Sequence, residues 1–291
     1  MTRQNQSLTD RLQRFAPQTV VTPIGQVGYR QSGAQHISHV LLHGIGSASG
    51  SWLMQLEAAN TSQHTPQHTR QHTHREIGVL AWDAPGYGDS SPVQPLHPQA
   101  ADYADQLWAW LDALHITHPV TLVGHSLGAL MATRAALQRP GQVARLVLLA
   151  PAQGYAHANA ADREKKLNDR LNQLAQLGPG GVGQQRGAGM LSPNAPPELV
   201  AYVQRIMSQI LVPGYTQAAH LLAGGDLLGD LAPLRCPVSV ASGQLDHATP
   251  MAACQAVAAA AHTPWLDLGP VGHACALEAA PHVNQILKLV V

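Results

Sequence analysis

The run Val-Thr-Leu-Val-Gly-His-Ser-Leu-Gly at residues 120–128 constrains this chain more than any other stretch. An apolar segment rich in β-branched residues leads into Gly124-His125-Ser126-Leu127-Gly128, and the helix formers Ala129, Leu130, Met131 and Ala132 follow. That order reads as strand, tight turn, helix, with a serine at the apex. Glycine on both sides of the serine removes the Cβ atoms that would collide where strand and helix approach, and the turn holds the serine backbone in a sparsely populated conformation. Ser126 is therefore expected to project above the end of a strand.

The rest of the chain supplies the sheet to which such a strand belongs. Residues 20–30 read as an antiparallel pair turning near Gly25. His39-Val40-Leu41-Leu42 is a short apolar strand running into His43-Gly44-Ile45-Gly46, a glycine-rich loop of the kind that aims backbone N–H groups at an anion. Residues 77–82 form a buried strand that ends in Asp83-Ala84-Pro85-Gly86-Tyr87-Gly88-Asp89-Ser90, where Asp83 is expected to organise the loop. Residues 143–149, 237–241 and 265–268 are further apolar strands, and helices are predicted at 52–59, 100–114 and from Ala276. Strands alternating with helices in this way predict a right-handed, mostly parallel α/β sheet. Residues 8–15 read as a short, frayed helix ahead of it.

After Pro151 the alternation stops. Residues 152–232 contain no convincing strand, whereas 162–177, 196–211 and 215–222 read as helices separated by Gly178-Pro179-Gly180-Gly181 and Pro213-Gly214. This predicts a core made of residues 1–151 and 233–291, with residues 152–232 as a helical cap over the carboxyl edge of the sheet. Met190, Leu191, Ile206, Met207, Ile210, Leu221 and Leu222 offer the cap an apolar lining with few polar anchors, which favours an uncharged, moderately hydrophobic substrate. Arg186 is read as a solvated surface residue in preference to a ligand for a substrate carboxylate. Residues 178–183 satisfy G-x-G-x-x-G but follow a helix and not a strand, which argues against a dinucleotide site.

Composition narrows the partners. Seventeen basic residues balance seventeen acidic ones, so nothing invites a nucleic acid or an anionic membrane. Three scattered cysteines are too few for a disulfide framework and fit a reducing compartment. The polar N-terminus and the absence of any run of about eighteen apolar residues suggest a cytoplasmic protein; it is expected as a monomer or a homodimer, which the sequence does not distinguish. The Gln/His/Thr stretch at 60–75 carries His64, His68, His72 and His74; on a helix these imidazoles would share a face, but Pro66 and the threonines favour a solvated loop.

A serine is a poor nucleophile without a base that is itself oriented by a third group. Asp246 and His273 both sit in loops directly after late strands, on the same edge as Ser126. Among seventeen histidines, His273 stands out for its Gly272-His273 position after the last strand, and His247, beside Asp246, is its rival.

His43-Gly44, Asp83-x-Pro85-Gly86-x-Gly88-x-Ser90, Gly124-His125-Ser126-Leu127-Gly128, Gly243-x-x-Asp246 and Gly272-His273 together resemble the α/β-hydrolase superfamily, from about Val20 onward. The resemblance implies an α/β-hydrolase fold, with a mostly parallel eight-stranded sheet flanked by helices and a helical cap inserted after the sixth strand. It implies Ser126 as nucleophile, His273 as base and then acid, Asp246 holding the imidazole, and an oxyanion hole from the backbone N–H groups of Ile45 and Leu127. The implied reaction is acyl transfer on a small ester or lactone without metal or organic cofactor, faster as His273 loses its proton. Dehalogenases and epoxide hydrolases carry Asp at the nucleophile, so Ser126 argues against them. Meta-cleavage C–C hydrolases share the capped build but usually show Asn before the nucleophile and Trp after the histidine, where His125 and Ala274 stand here. Enol-lactonases and small carboxylesterases fit both positions. A non-catalytic, ligand-binding relative is the alternative from another class; loss of a triad residue marks such proteins, and Ser126, Asp246 and His273 are all present.

Overall fold

The computed structural model describes residues 6–62 and 77–289. In chain order the strands are β1 (Gln18–Thr22), β2 (Gly25–Gly33), β3 (Ile37–Leu42), β4 (Gly78–Trp82), β5 (Val120–His125), β6 (Val143–Leu149), β7 (Val238–Ser242) and β8 (Trp265–Asp267). They form one eight-stranded sheet in the order β1-β2-β4-β3-β5-β6-β7-β8. The β1–β2 hairpin turns through Pro23 and Ile24, with Gly25 paired to Thr22; β2 pairs antiparallel with β4, and every other neighbouring pair is parallel.

Successive residues of the central strands enter opposite cores. Val40, Leu42, Leu80, Trp82, Leu122, Leu146 and Leu148 face one side, while Leu41, Val79, Ala81, Val123, Val147 and Leu149 face the other. Both faces are covered at these positions, so the strands carry continuous apolar runs there instead of alternating with polar residues. The covering helices are α1 (Leu8–Gln13), α2 (Leu53–Ser62), α3 (Ala100–Ala113), α4 (Gly128–Gln138), α5 (Ala160–Gly187), α6 (Pro197–Ser208), α7 (Val212–Gly224), α8 (Leu227–Leu231), α9 (Met251–Ala260), α10 (Cys275–Glu278) and α11 (Ala280–Ile286). Residues of α3, α4, α7 and α9 fill the first core, and residues of α1, α2, α6, α10 and α11 fill the second.

Four helices, α5 to α8, lie between β6 and β7, where no strand was expected. Their details depart from the sequence reading in two places. The chain breaks at Gly178, whose φ of 63° is left-handed, and then resumes as a second helical leg over residues 179–187 that glycine content had concealed. Pro213-Gly214, expected to separate two helices, instead opens α7: a proline in the first turn removes an N–H that would have no partner there. A Cβ on Gly214 would lie 2.0 Å from the Gly86 carbonyl oxygen, so glycine lets the α7 start press against the loop after β4. At the other end of the chain, α1 is docked and not frayed: Leu8 and Phe15 are buried, and Arg11 Nη2 donates to Glu57 Oε2 of α2 at 2.5 Å. Most of the histidine-rich stretch at 60–75 lies outside the described residues. All three cysteines are free, with Cys254 and Cys275 buried. No helix among the described residues is long and apolar enough to cross a membrane.

The chain leaves β3 toward β4 on one side and β5 toward β6 on the other, although β3 and β5 are neighbours. Their loops therefore diverge, and a crevice opens at their carboxyl ends, which is where ligands bind in sheets of this kind.

Candidate active site

Ser126 sits at that crevice. It joins β5 to α4 with φ +53°, the left-handed strain expected of the turn. Backbone bonds hold it there: its N–H donates to the Leu149 carbonyl at 3.0 Å, and its carbonyl accepts from Ala129 N–H at 3.0 Å and Ala152 N–H at 3.1 Å. A Cβ on Gly124 would meet the Gly128 carbonyl oxygen at 2.5 Å, and one on Gly128 would meet the Leu42 carbonyl oxygen at 2.3 Å. Both glycines are thus required by close approach.

The loop after β3 crosses directly beside the serine, since a Cβ on Gly44 would lie 2.7 Å from Ser126 Cβ. His43 fixes this loop. The Ala84 N–H donates to its Nε2 at 2.9 Å, so its proton is on Nδ1, which donates to the Gly44 carbonyl at 2.8 Å. Burial pushes the His43 pKa down and keeps the ring neutral. Asp83 organises the neighbouring loop as expected: Oδ1 accepts from Ser49 N–H at 2.7 Å, and Ser90 Oγ donates to the Asp83 carbonyl at 2.5 Å. Gly46 N–H donates to Tyr87 Oη at 3.2 Å. Among the described residues the N–H groups of Ile45 and Leu127 have no hydrogen-bond partner, and they flank Ser126 from the two diverging loops.

From the loops after β8 and β7, His273 and Asp246 meet. His273 Nδ1–H donates to Asp246 Oδ2 at 2.8 Å, and both residues are buried. Asp246 Oδ1 accepts from the N–H groups of Ala248 at 2.8 Å and Thr249 at 2.9 Å. Burial alone would raise the Asp246 carboxyl; the bond to His273, its charge and the Thr249 contacts outweigh it and hold the carboxyl below its ordinary value. Thr249 was not picked out by sequence reasoning. Its Oγ1 lies 2.7 Å from Asp246 Oδ2 and 3.2 Å from His273 Nδ1, and the Asp-x-x-Thr spacing of a side-chain-capped turn was its signal. His247 is exposed and lines neither cavity described below.

Two further groups steady His273. His125, just before the serine, donates from Nε2 to the His273 carbonyl at 2.8 Å, and burial followed by the neighbouring His273 charge lowers its pKa to about 3, so it stays neutral. Glu278 accepts from Gly272 N–H at 2.8 Å and from the N–H of Ser192 at 3.1 Å, and it also bonds Ser192 Oγ. That carboxylate ties the histidine loop to the helices above the sheet, and Ala274 N–H adds a bond to the Met190 carbonyl at 2.7 Å.

Ile45, Ser126, Met190, Met207 and His273 stand at the junction of two compartments. One, of about 50 Å³, is apolar and lined by Trp52, Val203, Ile206 and Leu277. The other, of about 430 Å³, is lined by Tyr155, Lys166, Arg170, Arg186, Tyr215 and Leu222. Of the predicted cap lining, Met190, Ile206, Met207 and Leu222 reach these spaces, while Leu191, Ile210 and Leu221 are packed in the cores. The expectation of few polar anchors is overturned in the larger compartment, and Arg186 is half-buried in its wall.

The profile of the alpha/beta hydrolase family matches residues 40–283, which spans every element that builds this site. The chain is an α/β-hydrolase. This α/β-hydrolase is 27% identical over 256 residues to (E)-2-((N-methylformamido)methylene)succinate hydrolase of Acinetobacter baylyi, covering 86% of this chain and 88% of that protein. Among solved structures it is similar to an enol-lactonase from Burkholderia xenovorans, with TM-score 0.78 at 18% identity over 94% of this chain and 99% of that one. A thermophilic esterase from Thermogutta terrifontis superposes with TM-score 0.77 at 19% identity, covering 94% and 96% of the two chains.

Proposed function

We propose that this hydrolase cleaves a small carboxylic ester or lactone through an acyl-enzyme on Ser126. The observation that carries the proposal is that a strained serine and a histidine held by a buried carboxylate line one cavity, with two backbone N–H groups that lack partners in the loops beside the serine. Asp246 accepts from Nδ1 of His273, which leaves Nε2 as the nitrogen that takes the Ser126 proton while Oγ attacks the carbonyl carbon. The Ile45 and Leu127 N–H groups donate to the resulting oxyanion, a stabilisation that typically amounts to about 3 to 4 kcal/mol per donor. His273 then returns the proton to the leaving alkoxide. A water attacks the acyl-enzyme with His273 again as base, and the acid departs. Residues 152–232 serve as a cap that selects the substrate, over a core of residues 1–151 and 233–291. The succinate named in the Acinetobacter baylyi relative agrees with a small-molecule substrate.

The test is hydrolysis of a chain-length series of p-nitrophenyl esters by wild type and Ser126→Ala, with a meta-cleavage dienone assayed alongside. Ester turnover lost in the variant supports the proposal. Turnover of the dienone alone replaces it with C–C bond hydrolysis, and silence on both substrates replaces it with a binding role.

A further inference from the structure

The larger compartment beside Ser126 is lined by three cationic side chains, Lys166, Arg170 and Arg186, and by no carboxylate. Arg170 and Arg186 lie eight residues before and after the break at Gly178, so the fold-back of α5 is what brings them to one wall. Bonds between the legs hold this arrangement: Arg186 Nη1 donates to Gln173 Oε1 at 3.1 Å, and Gln173 Nε2 donates to Gln185 Oε1 at 2.5 Å. Arg170 Nη1 donates to Tyr215 Oη at 3.2 Å, and Lys166 Nζ stands 4.3 Å over the Tyr155 ring. All of these contacts are to neutral groups. Among the described residues none of the three cations forms an ion pair; Asp169 of the same helix pairs instead with Lys165, and the nearby His157 is taken by Asp226. Both guanidiniums line this cavity, burial followed by the Arg170 charge lowers the Arg186 pKa, and no acid among the described residues pairs with either of them. A charge pair of this kind in a partly desolvated wall is stabilised by an anion brought from outside, and a planar guanidinium binds a carboxylate through two parallel bonds.

We infer that the substrate carries a carboxylate, bound by Arg186 and Arg170 with Lys166 at the cavity mouth, while a short apolar group on the other side of the scissile bond occupies the compartment of about 50 Å³. This rests on Ser126 being the nucleophile, since the two compartments meet there. It replaces the uncharged substrate that the sequence favours with an anionic one.

The experiment compares kcat/KM for esters matched except for the charge: monomethyl adipate against methyl hexanoate, and 6-acetoxyhexanoate against hexyl acetate. The two pairs place the carboxylate on the acyl side and on the alcohol side. Wild type, Arg186→Met and Arg170→Met are followed by acid release, and binding of free adipate to each is measured by calorimetry. The anionic member of at least one pair is expected to be preferred roughly 10- to 100-fold, the range of one charge-assisted contact. That ratio should fall at least tenfold in Arg186→Met, and adipate binding should weaken in parallel. A wild type that prefers the neutral ester in both pairs, or a ratio unchanged in both arginine variants, overturns the inference. If no ester is hydrolysed, the ester-hydrolase proposal fails separately, and adipate still decides: binding that Arg186→Met abolishes supports the anion site, and no binding to wild type removes it.

Discussion

At Ser126 the backbone is held at φ +53°, a strain of about 1 to 3 kcal/mol for a residue with a Cβ. Three backbone hydrogen bonds and two glycines without alternatives keep it in place. From this turn Ser126 lines both compartments. Asp246 fixes the tautomer of His273, so Asp246→Asn, which offers the ring a donor or a weaker acceptor, is expected to reduce kcat about 10⁴-fold with little change in KM, as steady-state kinetics would show. Gly44→Ala places a methyl group where the structure leaves 2.7 Å to Ser126 Cβ. The Ile45 N–H must then move, and kcat should drop on the order of 10²-fold, the loss typical of one displaced oxyanion donor. A Gly44→Ala enzyme with unaltered kcat would remove Ile45 from the mechanism.

Elements differ in how plainly the sequence announces them. The central strands of the parallel sheet carry apolar runs because both of their faces are buried, and the turns beside Gly25 and at Ser126 carry their own glycine signals, so these were legible to within a few residues. The placement of Ser126, Asp246 and His273 in loops that follow strands was legible too. What stayed hidden depends on partners far away in the chain. The second leg of α5 is glycine-rich, and its one cation, Arg186, looks solvated until the break at Gly178 brings it to the same cavity as Arg170. The docking of α1 rests on Glu57, forty-six residues distant from Arg11. Glu278 lies in no motif, yet it collects donors from Gly272 and Ser192. Glu278→Ala leaves those donors without their acceptor and should cost about 2 to 3 kcal/mol of stability, measurable by urea denaturation; a loss under about 0.5 kcal/mol would make the carboxylate an incidental contact.

For the whole molecule, four helices interrupt the sheet between β6 and β7, and under the proposed function they choose the substrate while the loops at the sheet edge carry the chemistry. The same buried site couples function to acid stability. Asp246 titrates below its ordinary value when folded. Its contribution is therefore fully present above the unfolded carboxylate value of about 3.9 and is lost as pH falls through the lower folded value. Denaturant midpoints compared between wild type and Asp246→Asn should show the wild-type advantage at pH 6 and its disappearance on acidification below about pH 4. An advantage that grew on acidification would reverse the sign and place the carboxylate in a different environment. The central claim, that Ser126 forms the covalent intermediate, is tested most directly by treating the enzyme with a fluorophosphonate and mapping the adduct by peptide mass spectrometry while ester hydrolysis is followed in the same sample. One phosphonyl group on Ser126, appearing in step with the loss of hydrolysis, is the expected result; hydrolysis that continues with Ser126 fully modified, or is lost with the label on another residue, would contradict it.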